Sequence, residues 1–232
     1  MVLVICILFG ACDLLFEIYH AMVKTPWIVR KIFSNLIWKI PGEAKALYLT
    51  FDDGPHPVAT PFVLQQLEKY NAKATFFCVG KNVVAYPEIY RQAIDAGHAI
   101  GNHTFNHLNG WKVEDNEYFH DIVEAKKYID SSLFRPPYGK ITTFQAKHLS
   151  RSPLDFKIVM WDVLSKDYNI QLSGEDCSFN VIRNAEPGSV VVFHDSEKAL
   201  PRMQKALTAT LQFFSEKGWT FKSISSEQAS IA

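Results

Sequence analysis

Two adjacent carboxylates, Asp52 and Asp53, sit in the run Thr50-Phe51-Asp52-Asp53-Gly54-Pro55, and two imidazoles four residues apart, His103 and His107, come about fifty residues later. Carboxylate oxygens and imidazole nitrogens are the donors that bind a zinc-like cation, and a catalytic site of this kind leaves a position open for water or substrate. The pattern points to metal-assisted hydrolysis. Each half alone is weak. Asp, Gly and Pro are ordinary turn formers. The i, i+4 spacing of His103 and His107 would bring both rings to one face of a helical turn, but surface helices carry it for no chemical reason. Together the two segments are far more specific than either.

From Ala46 onward, short β-branched or aromatic runs alternate with longer amphipathic stretches, the pattern of βα units around a parallel sheet. Strands are predicted at 46–51, 74–79, 98–102, 132–135, 157–161, 189–193 and 220–224. Helical stripes are predicted over 60–70 (Phe62, Val63, Leu64, Leu67) and 198–217 (Leu200, Met203, Leu207, Leu211, Phe214). On this map Asp52, Asp53, His103, His107, Arg135, Asp162 and His194 all fall at or just beyond strand C-termini, the active face of a βα barrel. Surface decoration would scatter over both rims.

The 232 residues are 48% apolar, enough for one substantial core. The 24 basic and 24 acidic residues cancel, so a neutral substrate is expected and no nucleic-acid partner. Cys6, Cys12, Cys78 and Cys177 show no CxxC spacing, which argues against a disulfide framework or thiolate zinc site. Cys78, within Ala74-Thr75-Phe76-Phe77-Cys78-Val79, reads as a buried strand residue. The apolar run Met1 to Phe9 has no preceding Lys or Arg, and Asp13 and Glu17 interrupt the apolar character of the residues after it. It reads as an amphipathic N-terminal helix; a lipoprotein-type cleavage box at Phe9-Gly10-Ala11-Cys12 and a true start at Met22 are the alternatives.

Beyond these inferences, the chain resembles the polysaccharide deacetylases of the NodB-homology type, carbohydrate esterase family four, over roughly residues 45–225. The motifs that carry the resemblance are Thr50-Phe51-Asp52-Asp53-Gly54-Pro55, His103-Thr104-Phe105-Asn106-His107, Arg135-Pro136-Pro137-Tyr138-Gly139 and Val192-Phe193-His194-Asp195, in that order. The resemblance implies a distorted (β/α) barrel of about seven parallel strands. It divides the chain into an N-terminal extension (1–44), the deacetylase domain (45–225) and a short tail (226–232). It also implies that Asp53, His103 and His107 bind a divalent metal, Zn²⁺ foremost, with Co²⁺ or Mn²⁺ as alternatives. Asp52 is then the general base, held by Arg135; the backbone N–H of Tyr138, in the turn with Pro137, is the oxyanion donor; and His194 is the general acid. Without the family pattern, Arg135 reads equally well as a structural salt bridge.

The fourth family motif, two acids three apart followed by an aromatic, departs here: Leu164-Ser165-Lys166-Asp167-Tyr168 keeps only the second acid. Asp167 is the expected partner of His194, with Asp162 as rival. Trp161, Leu164 and Tyr168 are expected to form an apolar wall for sugar rings. Trp111 could line the groove or pack in the core. His20, His56, His98, His120 and His148 lie outside the matching positions and read as surface or capping residues. The implied partner is an N-acetylated glycan, peptidoglycan or chitin-like, which suggests the cell envelope, with membrane attachment through the N-terminus as a further expectation. O-deacetylation of a glycan such as xylan and non-catalytic glycan binding are the competing functions. A metal phosphohydrolase would need more phosphate contacts than Arg135 alone offers.

Overall fold

The computed structural model describes residues 22–42 and 44–231. In chain order its elements are α1 (Trp27–Ile32), β1 (Ala46–Asp52), α2 (Ala59–Lys69), β2 (Thr75–Cys78), α3 (Gly80–Ala85), α4 (Pro87–Asp95), β3 (Ala99–Asn102), α5 (Asp115–Lys126), β4 (Leu133–Phe134), α6 (Thr143–Leu149), β5 (Lys157–Ile158), β6 (Val163–Leu164), α7 (Gly174–Asn184), β7 (Val190–His194), α8 (Leu200–Glu216), β8 (Thr220–Phe221) and α9 (Gln228–Ile231). The strands pair in the order β5-β4-β3-β2-β1-β7-β6, with β8 against the start of β1, and every ladder is parallel. This is the expected distorted (β/α) barrel, with eight parallel strands.

All seven residues of β1 are buried, because helices cover one face of the sheet and the barrel interior fills the other. Of the stripes predicted for the first and last long helices, α2 buries Val63 and Leu67 and α8 buries Met203, Leu207, Leu211 and Phe214, whereas Phe62, Leu64 and Leu200 are only partly buried. Capping boxes at Thr142/Gln145 and Ser173/Asp176 start α6 and α7. Cys78 is buried at the end of β2, as its surroundings predict.

The strand predicted at 157–161 is only partly formed. β5 stops at Ile158, because the next carbonyls are claimed elsewhere: Arg135 Nε and Nη2 donate to the oxygens of Val159 and Met160, at 3.0 and 2.9 Å. A separate strand, β6, then forms at Val163–Leu164. Two residues are too few to leave a period-2 signal in the sequence.

Among the described residues, β5 and β6 are not paired with each other; the N-terminal segment fills the seam. Ile37 bridges Val159 in parallel and Lys24 bridges Val163 antiparallel. Val29, Leu36, Ile37, Trp38 and Ile40 are buried in the core. Thus the described part of the 1–44 extension packs as barrel. Gly188, at φ +80°, lets the segment come close: a Cβ there would lie 2.2 Å from the Ile40 carbonyl oxygen. The expectations for residues 1–21, namely the apolar run, the cleavage box, Cys6, Cys12 and His20, lie outside the described residues. Among the described residues no helix is long and apolar enough to cross a membrane.

Candidate active site

Parallel strands deliver the predicted residues to one rim. Asp52 is the last residue of β1 and His194 the last of β7, and the two are register partners across that ladder. His103 follows β3 directly and Arg135 follows β4. A cavity of roughly 530 Å³ opens here, with Asp52, Asp53, His103, His107 and His194 among its lining.

Asp53, His103 and His107 each offer one ligand atom, and these atoms lie within 4.8 Å of one another. Asp53 Oδ1 is 3.2 Å from His107 Nε2 and 3.9 Å from His103 Nε2. His103 Nδ1–H donates to the Arg135 carbonyl at 2.7 Å, so its Nε2 carries the lone pair. Burial pushes the His103 imidazole down to about 4, more than the nearby Asp52 charge raises it, which keeps the ring in its neutral, metal-binding form. His107 Nδ1 lies 3.1 Å from the Tyr138 hydroxyl. Burial alone would raise the Asp53 carboxyl, but the His107 hydrogen bond and the nearby imidazoles hold it well below the usual range. Two imidazoles and a carboxylate, each ready to coordinate and facing a cavity, fit a divalent cation with open positions.

The two histidines do not sit on a helical turn. The segment after β3 is an irregular loop in which Thr104 and His107 take left-handed backbone angles, φ 64° and 61°. The Asn102 side chain accepts the Thr104 N–H at 2.8 Å, and Asp121 on α5 accepts the N–H groups of Phe105 and Asn106, both at 2.9 Å. Those bonds replace the i→i−4 ladder. The rings converge because of the loop, with centroids 5.1 Å apart.

Arg135 is fully buried, and its Nη1 donates to Asp52 Oδ1 and to Thr50 Oγ1, both at 2.7 Å. Its guanidinium lies over the Phe77 ring at 4.1 Å from the centroid. On the facing strand, His194 is gripped twice by Asp167: its backbone N–H donates to Oδ2 at 2.8 Å and its Nδ1–H to Oδ1 at 2.7 Å. Burial lowers the His194 proton affinity, but Asp167, with help from Asp53 and Asp52, outweighs it and raises the pKa to about 9. Asp167 is therefore the partner of His194. Asp162 is not, and it does not lie at a strand C-terminus: it precedes β6, where Arg30 Nη1 and Ser189 Oγ bind its carboxylate at 3.1 and 2.5 Å.

Trp161, Leu164 and Tyr168 line the cavity together with Val192, and the Tyr168 ring meets His194 edge-on at 5.1 Å. Tyr138, at φ 59°, is half-exposed at the mouth, whereas Pro137 is buried in the 3₁₀ turn beneath it. Trp111 packs against the core with the Lys140 ammonium 4.2 Å from its ring centroid. His56 Nδ1 accepts the N–H groups of Val58 and Ala59 and caps α2; His98 Nδ1 accepts from Ala74. His120 and His148 are exposed, the latter stacked on Phe119. Thr50, Asn82, Asp121 and Asp195 support the site although the sequence predicts no role for them. Thr50 and Asp195 stand within the recognisable motifs, whereas nothing local marks Asp121 or Asn82, whose Nδ2–H donates to the Asp53 carbonyl at 2.7 Å.

Residues 39–155 match the family described as Polysaccharide deacetylase. A peptidoglycan-N-acetylglucosamine deacetylase of Bacillus cereus is 34% identical over 194 residues, spanning 81% of this chain and 90% of that protein. A chitooligosaccharide deacetylase of Azorhizobium caulinodans is 35% identical over 164 residues, 68% of this chain and 77% of that one. The crystal structure of a peptidoglycan N-acetylglucosamine deacetylase in complex with 4-naphthalen-1-yl-N-oxidanyl-benzamide superposes with a TM-score of 0.78 at 32% identity, covering 86% of this chain and 95% of that chain. By its motifs, its barrel and these relatives, the chain belongs to the polysaccharide deacetylase family.

Proposed function

We propose that this chain hydrolyses the acetamido group of N-acetylglucosamine units in peptidoglycan, releasing acetate and leaving a free amine on the glycan. The observation that carries this reading is the pairing of Asp52 and His194 across one ladder, each fixed from behind by a buried partner, with the Asp53–His103–His107 cradle beside them. Asp53, His103 and His107 hold a divalent cation, Zn²⁺ by preference for this nitrogen and oxygen donor set, with Co²⁺ and Mn²⁺ as substitutes. Bound there, the cation supplies Lewis acidity, polarising a carbonyl and lowering the pKa of water toward ~7.

The residues do the rest. Asp52 takes the proton of the attacking water as its oxygen bonds to the acetyl carbonyl carbon. Arg135 keeps that carboxylate aimed. The backbone N–H of Tyr138 donates to the oxygen on which negative charge develops. With Nδ1 committed to Asp167, His194 presents Nε2–H to the amide nitrogen; as the C–N bond breaks, the proton passes to the departing amine. Trp161, Leu164 and Tyr168 receive the apolar faces of the sugar. The relatives named for peptidoglycan and chitooligosaccharide deacetylation support the N-acetyl substrate class, and a peptidoglycan substrate favours the cell envelope as the site of action.

The test is acetate release from peptidoglycan and from N-acetylated chitooligosaccharides, using metal-stripped protein before and after Zn²⁺, Co²⁺ or Mn²⁺ is restored. Metal-dependent release from peptidoglycan supports the assignment. Release from acetylated xylan alone would move the reaction to esters, and tight binding without release from any of them would leave a glycan-binding protein.

A further inference from the structure

Two buried carboxylates lie outside the reacting set, and each grips a loop that bears a cradle ligand. Asp195 is 1% exposed and Asp121 5%. Asp195 holds both sides of Asp53: its N–H donates to the Asp52 carbonyl at 3.1 Å, and its Oδ1 accepts the Gly54 N–H at 3.1 Å. Its Oδ2 accepts the Thr60 hydroxyl at 2.5 Å, and that hydroxyl oxygen takes the His56 N–H at 2.8 Å. A side chain at position 54 would push the Asp195 carboxylate aside, because a Cβ there would overlap its Oδ2. Asp53 itself sits at φ 82°, an angle a free chain rarely adopts at a non-glycine residue. The turn therefore needs an external restraint.

Asp121 does the same for the histidine loop. Its Oδ2 accepts two successive backbone N–H groups, from Phe105 and Asn106, and its Oδ1 accepts Asn106 Nδ2–H at 2.6 Å. This restrains the stretch between His103 and His107, where Thr104 and His107 also take left-handed angles. Neither carboxylate belongs to the ligand set; each acts by holding backbone N–H groups together with one side-chain donor, Thr60 for Asp195 and Asn106 for Asp121.

We infer that Asp195 and Asp121 are the positioning residues of the metal cradle, one clamping the Asp53 turn and the other the His103–His107 loop. This rests on the proposed assignment of Asp53, His103 and His107 as ligands. Without the clamps the strained loops relax and the three donors must be reassembled each time a cation binds, so affinity falls although every ligand is present.

The experiment measures Zn²⁺ affinity of the purified full chain by chelator competition, alongside the melting temperature of the metal-free protein. Asp195→Ala and Asp121→Ala are each expected to weaken binding about 10–100-fold, as loss of outer partners of metal sites does. Asp195→Asn and Asp121→Asn each retain an acceptor oxygen and are expected to recover most of the affinity. The Asn variants keep the inference testable should an Ala variant fold poorly, since they must bind Zn²⁺ nearly as the wild type does. Wild-type affinity in a folded Ala variant, or an Asn variant as weak as its Ala counterpart, overturns the inference for that carboxylate. His103→Ala is the control: if it binds Zn²⁺ as tightly as the wild type, the ligand assignment is wrong and the clamps fall with it. If it loses binding while the Ala variants do not, only the clamps are refuted.

Discussion

Two buried aspartates, Asp52 and Asp162, stand within the same barrel and each is paired with an arginine, yet their surroundings differ in kind. Asp52 ends β1 and lines the cavity, its arginine is wholly buried, and His194 is its register partner. Asp162 precedes β6, and its partners Arg30 and Lys24 come from the N-terminal segment with side chains 25% and 29% exposed. Pairing of a buried carboxylate with arginine is thus common to chemistry and to architecture. What separates them is the end of the strand and whether a cavity opens beside the carboxylate.

This contrast can be broken from both sides. The largest effect is expected for Asp52→Asn, which should lower kcat toward the upper end of the ~10²–10⁴-fold range for a lost general base while Zn²⁺ content is retained; equal kcat would place the base elsewhere. His194→Ala should come next, lowering kcat by ~10²–10³-fold for amide substrates with metal content intact, and by less for acetate esters, whose leaving group needs less protonation.

Asp167→Asn sharpens the comparison through pH. In the wild type, the metal-free His194 imidazole is expected to titrate near 9 and to lose its proton as pH rises through that value. Removing the Asp167 charge leaves the burial that opposes protonation, so NMR titration should show the pKa moving down, and the alkaline limb of kcat should move in the same direction. An unmoved titration would remove Asp167 as the source of the raised affinity. Last, Asp162→Ala should lower folding stability by about 1–3 kcal/mol through the unpaired Ser189 and Arg30 groups, with kcat unchanged once the protein is folded. A large loss of kcat there would erase the distinction between the two aspartates.

The sequence made part of this visible. Adjacent Asp52 and Asp53 and the spacing of His103 and His107 marked the cradle, and the alternation of strands and stripes marked the barrel. The local reason for the histidine spacing was nevertheless different. A four-residue interval suggests a helical turn, whereas the loop is bent by bonds to Asn102 and Asp121, and a bond from a side chain to a distant backbone N–H leaves no period behind. For the same reason nothing in the sequence around Asp121 marks it as a support of the site. Asp167 and Asp162 lie five residues apart near short strands, and only the register of β6 against β7 separates them. The N-terminal closure was hidden because isolated bridges at Lys24 and Ile37 need no alternating run.

That closure has a consequence for how the molecule could diversify. Leu164, part of the cavity wall, donates its backbone N–H to the Val23 carbonyl of the N-terminal segment, and the Trp161 carbonyl accepts the Thr25 hydroxyl. Asp52 and His194 end strands of the barrel proper, but Arg135 leans on the N-terminal segment as well: Ile37 bridges Val159, whose carbonyl takes the Arg135 Nε–H, and the Ile37 carbonyl accepts the N–H of Met160, whose oxygen takes the Arg135 Nη2–H. The groove wall and the arginine that aims the base therefore share a support, so that changes in residues 23–40 can reshape what the groove accepts and shift Arg135 with it.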